Sequence, residues 1–153
     1  MAIGAFAWSL AFGLLSFSWA AGGTFGASTL SASIRELAAE RDPAFVATVW
    51  ISGIAKLLGG LLPLALGFGW WRRIPRRWLR TLCGLGGVLL ILYGLGDMAR
   101  SGLILLDIWR SGAPGEVRTA WWYLCLWGPV WMIGGVLYGA TTLLWRRATN
   151  LRQ

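Results

Sequence analysis

Apolar residues run with few interruptions through four stretches of the chain, at about 3–21, 45–68, 81–109 and 119–145, and polar residues collect between them. Each stretch approaches or exceeds the roughly 20 residues needed to cross a bilayer core. The pattern predicts an all-α membrane protein, a four-transmembrane-helix bundle occupying residues 1–153 as one domain. The first stretch lacks the basic start of a signal peptide, so it is expected to be a span, although Ser18-Trp19-Ala20 fits a small-x-small cleavage pattern.

The connecting segments are uneven. Gly22, Gly23 and Gly26 interrupt the helix after the first span, and Ser33-Ile34-Arg35-Glu36 has the form of a capping box. A short amphipathic helix from about Ile34 to Glu40 is expected in this first extracytoplasmic loop, with Leu30, Ile34 and Leu37 turned inward, ending before Asp42-Pro43. Gly112-Ala113-Pro114-Gly115 marks a tight turn between the last two spans.

Within the spans, helical spacing sorts residues into faces. Trp8, Phe12, Leu15, Ser16 and Trp19 share a face of the first. Ser52, Gly53, Lys56, Gly60 and Pro63 share a face of the second, whose small residues predict close helix contact, and Pro63 should kink it. Tyr93, Asp97, Arg100, Ser101 and Ile104 lie together on the third, with Gly84, Gly86, Gly87, Gly94 and Gly96 as helix-contact candidates. On the fourth, Trp127, Trp131, Gly134, Gly135 and Tyr138 form an aromatic-and-small face. Gly135-x-x-x-Gly139 is a contact motif there, and Pro129 predicts a second kink.

Composition strengthens the membrane reading. The chain is 57% hydrophobic and 13% charged, against about 45–50% and about 25% for a soluble domain. Its net charge of +8 would suggest nucleic acid in a soluble protein. Here topology explains it, and no nucleic-acid partner is expected. The loop spanning Arg72–Arg80, with five arginines between interfacial tryptophans, and the tail together hold eight arginines, whereas the other two loops have a net charge of −1. By the positive-inside rule both termini are cytoplasmic. The absence of His from the sequence removes the commonest ligand for zinc, haem and copper, so no metal or cofactor is expected. Cys83 and Cys125 belong near opposite ends of antiparallel spans, too far apart for a disulfide, and are expected to be inert buried thiols.

Candidate chemistry concentrates in three charges. Lys56 is eleven residues from the expected start of its span at Phe45, and Asp97 is eleven residues from Ile108, so both are expected about 16 Å below the outer boundary. An isolated charge near the centre costs roughly 2.5–3.5 kcal/mol on insertion scales, which favours pairing between them. Arg100, one turn from Asp97, would add a second cation in an outward-opening polar pocket. Tyr93, Trp19, Trp50, Trp127 and Trp131 are candidates for its walls. Such a site could bind a small anion or lipid headgroup; alternatively, the charges form an ion network that only sets helix register. A lipid-modifying enzyme is a third reading, but no nucleophile–base constellation supports it.

Four motifs carry a family resemblance: Trp19-x-x-Gly22-Gly23, Gly53-x-x-Lys56, Tyr93-Gly94-x-x-Asp97 and Leu126-Trp127-Gly128-Pro129-x-Trp131-x-x-Gly134-Gly135. The chain resembles an uncharacterised bacterial family of small four-helix integral membrane proteins, classed as a domain of unknown function. The resemblance implies a four-span protein of the bacterial inner membrane and supplies no activity. Many members of that family carry a His shortly before the first Trp-x-x-Gly-Gly, whereas Ser16 to Ser18 include none. Membrane lipids are the expected partners, together with a second copy of the chain or another membrane protein, which the glycine-rich faces could contact.

Overall fold

The computed structural model describes residues 1–69, 71 and 74–150, with side chains as far as Trp145. Trp70, Arg72, Arg73 and Arg152, and the side chains of Arg146 and Arg147, lie outside the described residues, so part of the charge asymmetry has no structural counterpart here.

The described residues form an all-helical bundle with no strand. α1 is Ala2–Ala20, a 3₁₀ turn covers Ala27–Thr29, and α2 is Ala32–Ala39. α3 is Pro43–Phe68, α4 is Arg76–Leu105, and α5 (Glu116–Trp122) continues through a π turn at Tyr123–Trp127 into α6 (Gly128–Asn150). α1, α3, α4 and the combined Glu116–Trp145 segment are long and apolar enough to cross a membrane. The protein is a four-span membrane bundle.

Its side chains are distributed as lipid requires. Large apolar residues such as Ile54, Leu58, Leu85, Leu89, Leu92, Ile133 and Val136 are exposed, whereas α1 buries the small stripe Ala5, Ser9, Gly13, Ser16 and Ala20. With lipid as apolar as leucine, close packing and internal hydrogen bonds hold such helices together. α1 packs most closely on α3, and α4 on α6. The first pair meets at Gly53, where a methyl group would lie 2.5 Å from the Phe17 ring, and at Gly60, where one would lie 2.6 Å from Ser9 Cβ.

In the second pair the backbones themselves touch. A Cβ on Gly135 would stand 2.6 Å from the Gly87 carbonyl oxygen, and one on Gly94 equally close to that of Gly128. Gly96, expected to join this contact, has nothing within 4 Å because it lies on another face of α4. Between the pairs, Ser9 and Tyr138 share a 2.7 Å hydrogen bond at the buried centre.

Several boundaries differ from the pattern-based expectation. α3 starts at Pro43, because Asp42 caps it by accepting the Phe45 N–H at 2.7 Å and proline occupies the first turn without losing a needed donor. α4 ends at Leu105, short of Trp109: Asp107 takes a left-handed φ of 63° and its carboxylate pairs with Arg110 at 3.1 Å. The capping box does not form, since α2 begins earlier, at Ala32, and Ser33 is already inside it. The Ser31 hydroxyl instead meets that of Ser33 at 3.2 Å. Leu30 is buried, but Leu37 is exposed.

Pro129 acts through the π turn. Lacking an N–H, it cannot donate to the carbonyl four residues back, and Gly128 donates to Tyr123 five residues back. One residue is thereby accommodated as an extra, rotating α5 relative to α6.

Candidate functional site

Two polar centres occur where one was expected. The first is built on α3. Lys56 sits one turn after Ser52, so the ammonium folds back onto that hydroxyl, and α1 presents Ser16 Oγ at 3.0 Å. Ser16 itself donates to the Phe12 carbonyl at 3.0 Å. The same ammonium stands 5.9 Å from the Trp131 ring centroid, within cation–π range.

Lys56 makes no ion pair with Asp97; among the described residues the ion pair present is Arg110–Asp107. The displaced helix ends account for this. From the observed ends, Lys56 is thirteen residues into α3 and Asp97 only eight from the end of α4. The five-residue difference is about 7.5 Å of rise, more than one turn. In addition, α3 keeps its closest packing for α1.

Trp131 is the residue both sides touch, since Tyr93 meets it edge-on at 5.2 Å between centroids. It belongs to an aromatic column linking α1 to α6. Trp8 stacks on Phe12 at 4.7 Å, both contact Trp131 at 5.5 Å, and Phe12 and Trp19 reach Trp127 at 6.3 and 6.1 Å. Three of the column's indole N–H groups are engaged: Trp8 on the Val130 carbonyl, Trp19 on that of Phe25, and Trp127 on Thr29 Oγ1. Trp127 thus ties the 3₁₀ turn to the bundle. Trp50 lies apart and half exposed, packed on Phe17 at 5.1 Å.

The second centre is a cavity of about 410 Å³ at the end of the bundle where α1 finishes and α3 begins. α4 contributes Tyr93, Asp97, Arg100 and Ser101; α5 contributes Thr119, and the π turn Tyr123; the first turn of α2 closes one side. Asp97 Oδ2 is buried and has no hydrogen-bond partner. Arg100, one turn away, is within electrostatic reach but forms neither a hydrogen bond nor an ion pair with it. Glu116, also at the wall, is fully engaged: its carboxylate accepts from Ser111 N and Oγ and from Gly112 N at 2.9–3.1 Å.

Of the eight residues expected at one pocket, the structure therefore brings Tyr93, Asp97 and Arg100 together at the cavity. Lys56 is one aromatic layer away with Trp131; Trp127 belongs to the column, Trp50 to neither. Trp19 lines a smaller cavity, about 230 Å³, on the other side of α2. Pattern reading missed Tyr123, since only the π turn rotates it to this wall. It also missed Ser16 as a partner of Lys56; Ser52, one turn before the lysine, was the legible partner.

The arrangement offers one unsatisfied acceptor, one uncommitted guanidinium and several hydroxyls in a space of ligand size. No group of acidic or cysteine residues able to hold a metal ion occurs among the described residues. Both cysteines are free; Cys83 is buried and donates to the Tyr138 carbonyl at 3.5 Å, whereas Cys125 is exposed because it lies on the outer side of the π turn, correcting the expectation of two buried thiols.

No curated protein and no solved structure matches the chain. Residues 9–138, which include both polar centres, match the family described as "Protein of unknown function (DUF3995)", and the chain belongs to that family.

Proposed function

We propose that the protein is a multi-pass component of a bacterial inner membrane that binds a lipid headgroup or a small polar molecule in the Asp97–Arg100 cavity. Its role would be that of a sensor, accessory subunit or carrier. The observation carrying this reading is the Asp97 carboxylate in the cavity wall, whose buried Oδ2 has no hydrogen-bond partner, beside a space that an external molecule could fill. An unsatisfied polar atom at such depth is costly unless something supplies its hydrogen bond. The arginine distribution supports cytoplasmic termini. The cavity, at the opposite end from the start of α4 at Arg76, would then open outward.

Lys56 has a different job in this reading. Its contacts with Ser16 and Trp131 support a register-setting role among α1, α3 and α6.

The test is native mass spectrometry of the full chain extracted in mild detergent. Wild type should retain a polar lipid or metabolite, and Thr119→Trp, which fills the cavity from its α5 wall, should lose it without a lower unfolding temperature. An adduct-free wild type, or equal retention by Thr119→Trp, would sink the reading.

A further inference from the structure

The charges at the cavity select among ligands. This inference rests on the binding reading above and deepens it. An anion alone would satisfy Arg100 but would bring a second negative charge beside Asp97. A cation alone would satisfy Asp97 and leave Arg100 opposing it. A ligand carrying both charges meets neither objection. From the geometry we infer that the cavity takes a zwitterion whose primary ammonium hydrogen-bonds the Asp97 carboxylate and whose phosphate or similar anionic group meets Arg100.

Three observations carry this. First, an ionised carboxylate only accepts hydrogen bonds, and no N–H or O–H of the protein is directed to Asp97 Oδ2, so Asp97 calls for a donor. A primary ammonium supplies N–H groups, whereas a quaternary ammonium has none. Second, Asp97 and Arg100 are three residues apart on α4, so their side chains leave one face about 5–6 Å apart. An ammonium and a phosphate joined by a two-carbon bridge span a comparable gap. Guanidinium also suits phosphate through its paired donors. Third, Tyr93 lines the cavity while being 56% exposed, among exposed Leu89, Leu92 and Leu95. The mouth therefore borders the lipid-facing surface of α4, so a phosphoethanolamine headgroup could enter with its acyl chains remaining in the bilayer. Free phosphoethanolamine has the same chemistry and could enter from the aqueous end.

The full chain is incubated with equimolar phosphatidylethanolamine, phosphatidylcholine and phosphatidylglycerol in mixed micelles, and retained lipids are counted by native mass spectrometry. Soluble O-phosphoethanolamine is added in a second arm. The expected result is at least tenfold preference for phosphatidylethanolamine, lost in Asp97→Asn and in Arg100→Gln. Competition by soluble O-phosphoethanolamine at equal concentration identifies a soluble ligand, and its failure to compete identifies the lipid; each agrees with the zwitterion.

Preference for phosphatidylglycerol that needs Arg100 but not Asp97 would overturn the zwitterion while preserving the binding site. Equal retention of all three lipids, abolished by Thr119→Trp, would do the same. No cavity-dependent retention at all would remove both. If Asp97→Asn does not fold, the exposed Arg100→Gln variant alone decides: unchanged phosphatidylethanolamine preference there overturns the inference.

Discussion

The Lys56 ammonium lies 5.9 Å from the centre of the Trp131 ring, and Tyr93 meets that same ring from α4. Charges that the sequence places at one level are thus unpaired, and the lysine packs beside an indole instead. Lys56 and Asp97 are expected to behave as independent sites. A thermal-unfolding cycle in detergent with Lys56→Met, Asp97→Asn and the double variant should give a coupling below about 0.5 kcal/mol. Coupling above about 1 kcal/mol would mean that the two charges interact directly.

Helix contact through backbone makes a sharper contrast. Gly135→Ala places a methyl group 2.6 Å from the Gly87 carbonyl, where rigid backbone must move, and should cost about 1–3 kcal/mol. Gly96→Ala meets nothing within 4 Å inside a helix and should be neutral or stabilise by up to about 1 kcal/mol. Fluorescence-detected unfolding of the two variants side by side would check the helix crossing. Similar losses in both would contradict it.

Tyr138→Phe removes the partner of the buried Ser9 hydroxyl. The expected destabilisation is about 1–3 kcal/mol, the cost of leaving a buried polar group unpaired. Ser9→Ala combined with Tyr138→Phe should recover part of it, because neither group is then unsatisfied. A double variant as weak as the sum of the two singles would rule out the hydrogen bond.

Orientation is open to a direct assay. Alkaline phosphatase fused after Gly112 should be active in cells, and the same enzyme fused after Gln153 should be inactive, if both termini are cytoplasmic. The reverse pattern would invert the proposed membrane orientation and place the cavity on the cytoplasmic side.

How far the chain could be read follows from where its signals are local. Span number came from run length, and the close contacts at Gly53, Gly87, Gly94 and Gly135 came from small residues at helical spacing. The cavity residues Tyr93, Asp97 and Arg100 were legible as one face of α4. Their separation from Lys56 was not, because it depends on two helix ends moving in opposite directions. The Asp42-Pro43 pair was the local sign for one of them, an N-cap followed by proline. Nothing near Asp107 announces its left-handed backbone. Tyr123 was illegible for a different reason: simple periodicity assumes an uninterrupted α-helix, and the residues before Pro129 do not form one.

That interruption gives the last span two independent phases. Residues on α5 are aligned to the cavity, while residues on α6 are aligned to the glycine seam with α4. Because the offset is absorbed within five residues, either half can change its facing set without rewriting the other. The same four-helix core could thus carry differently lined cavities, with the packing seam below left unchanged.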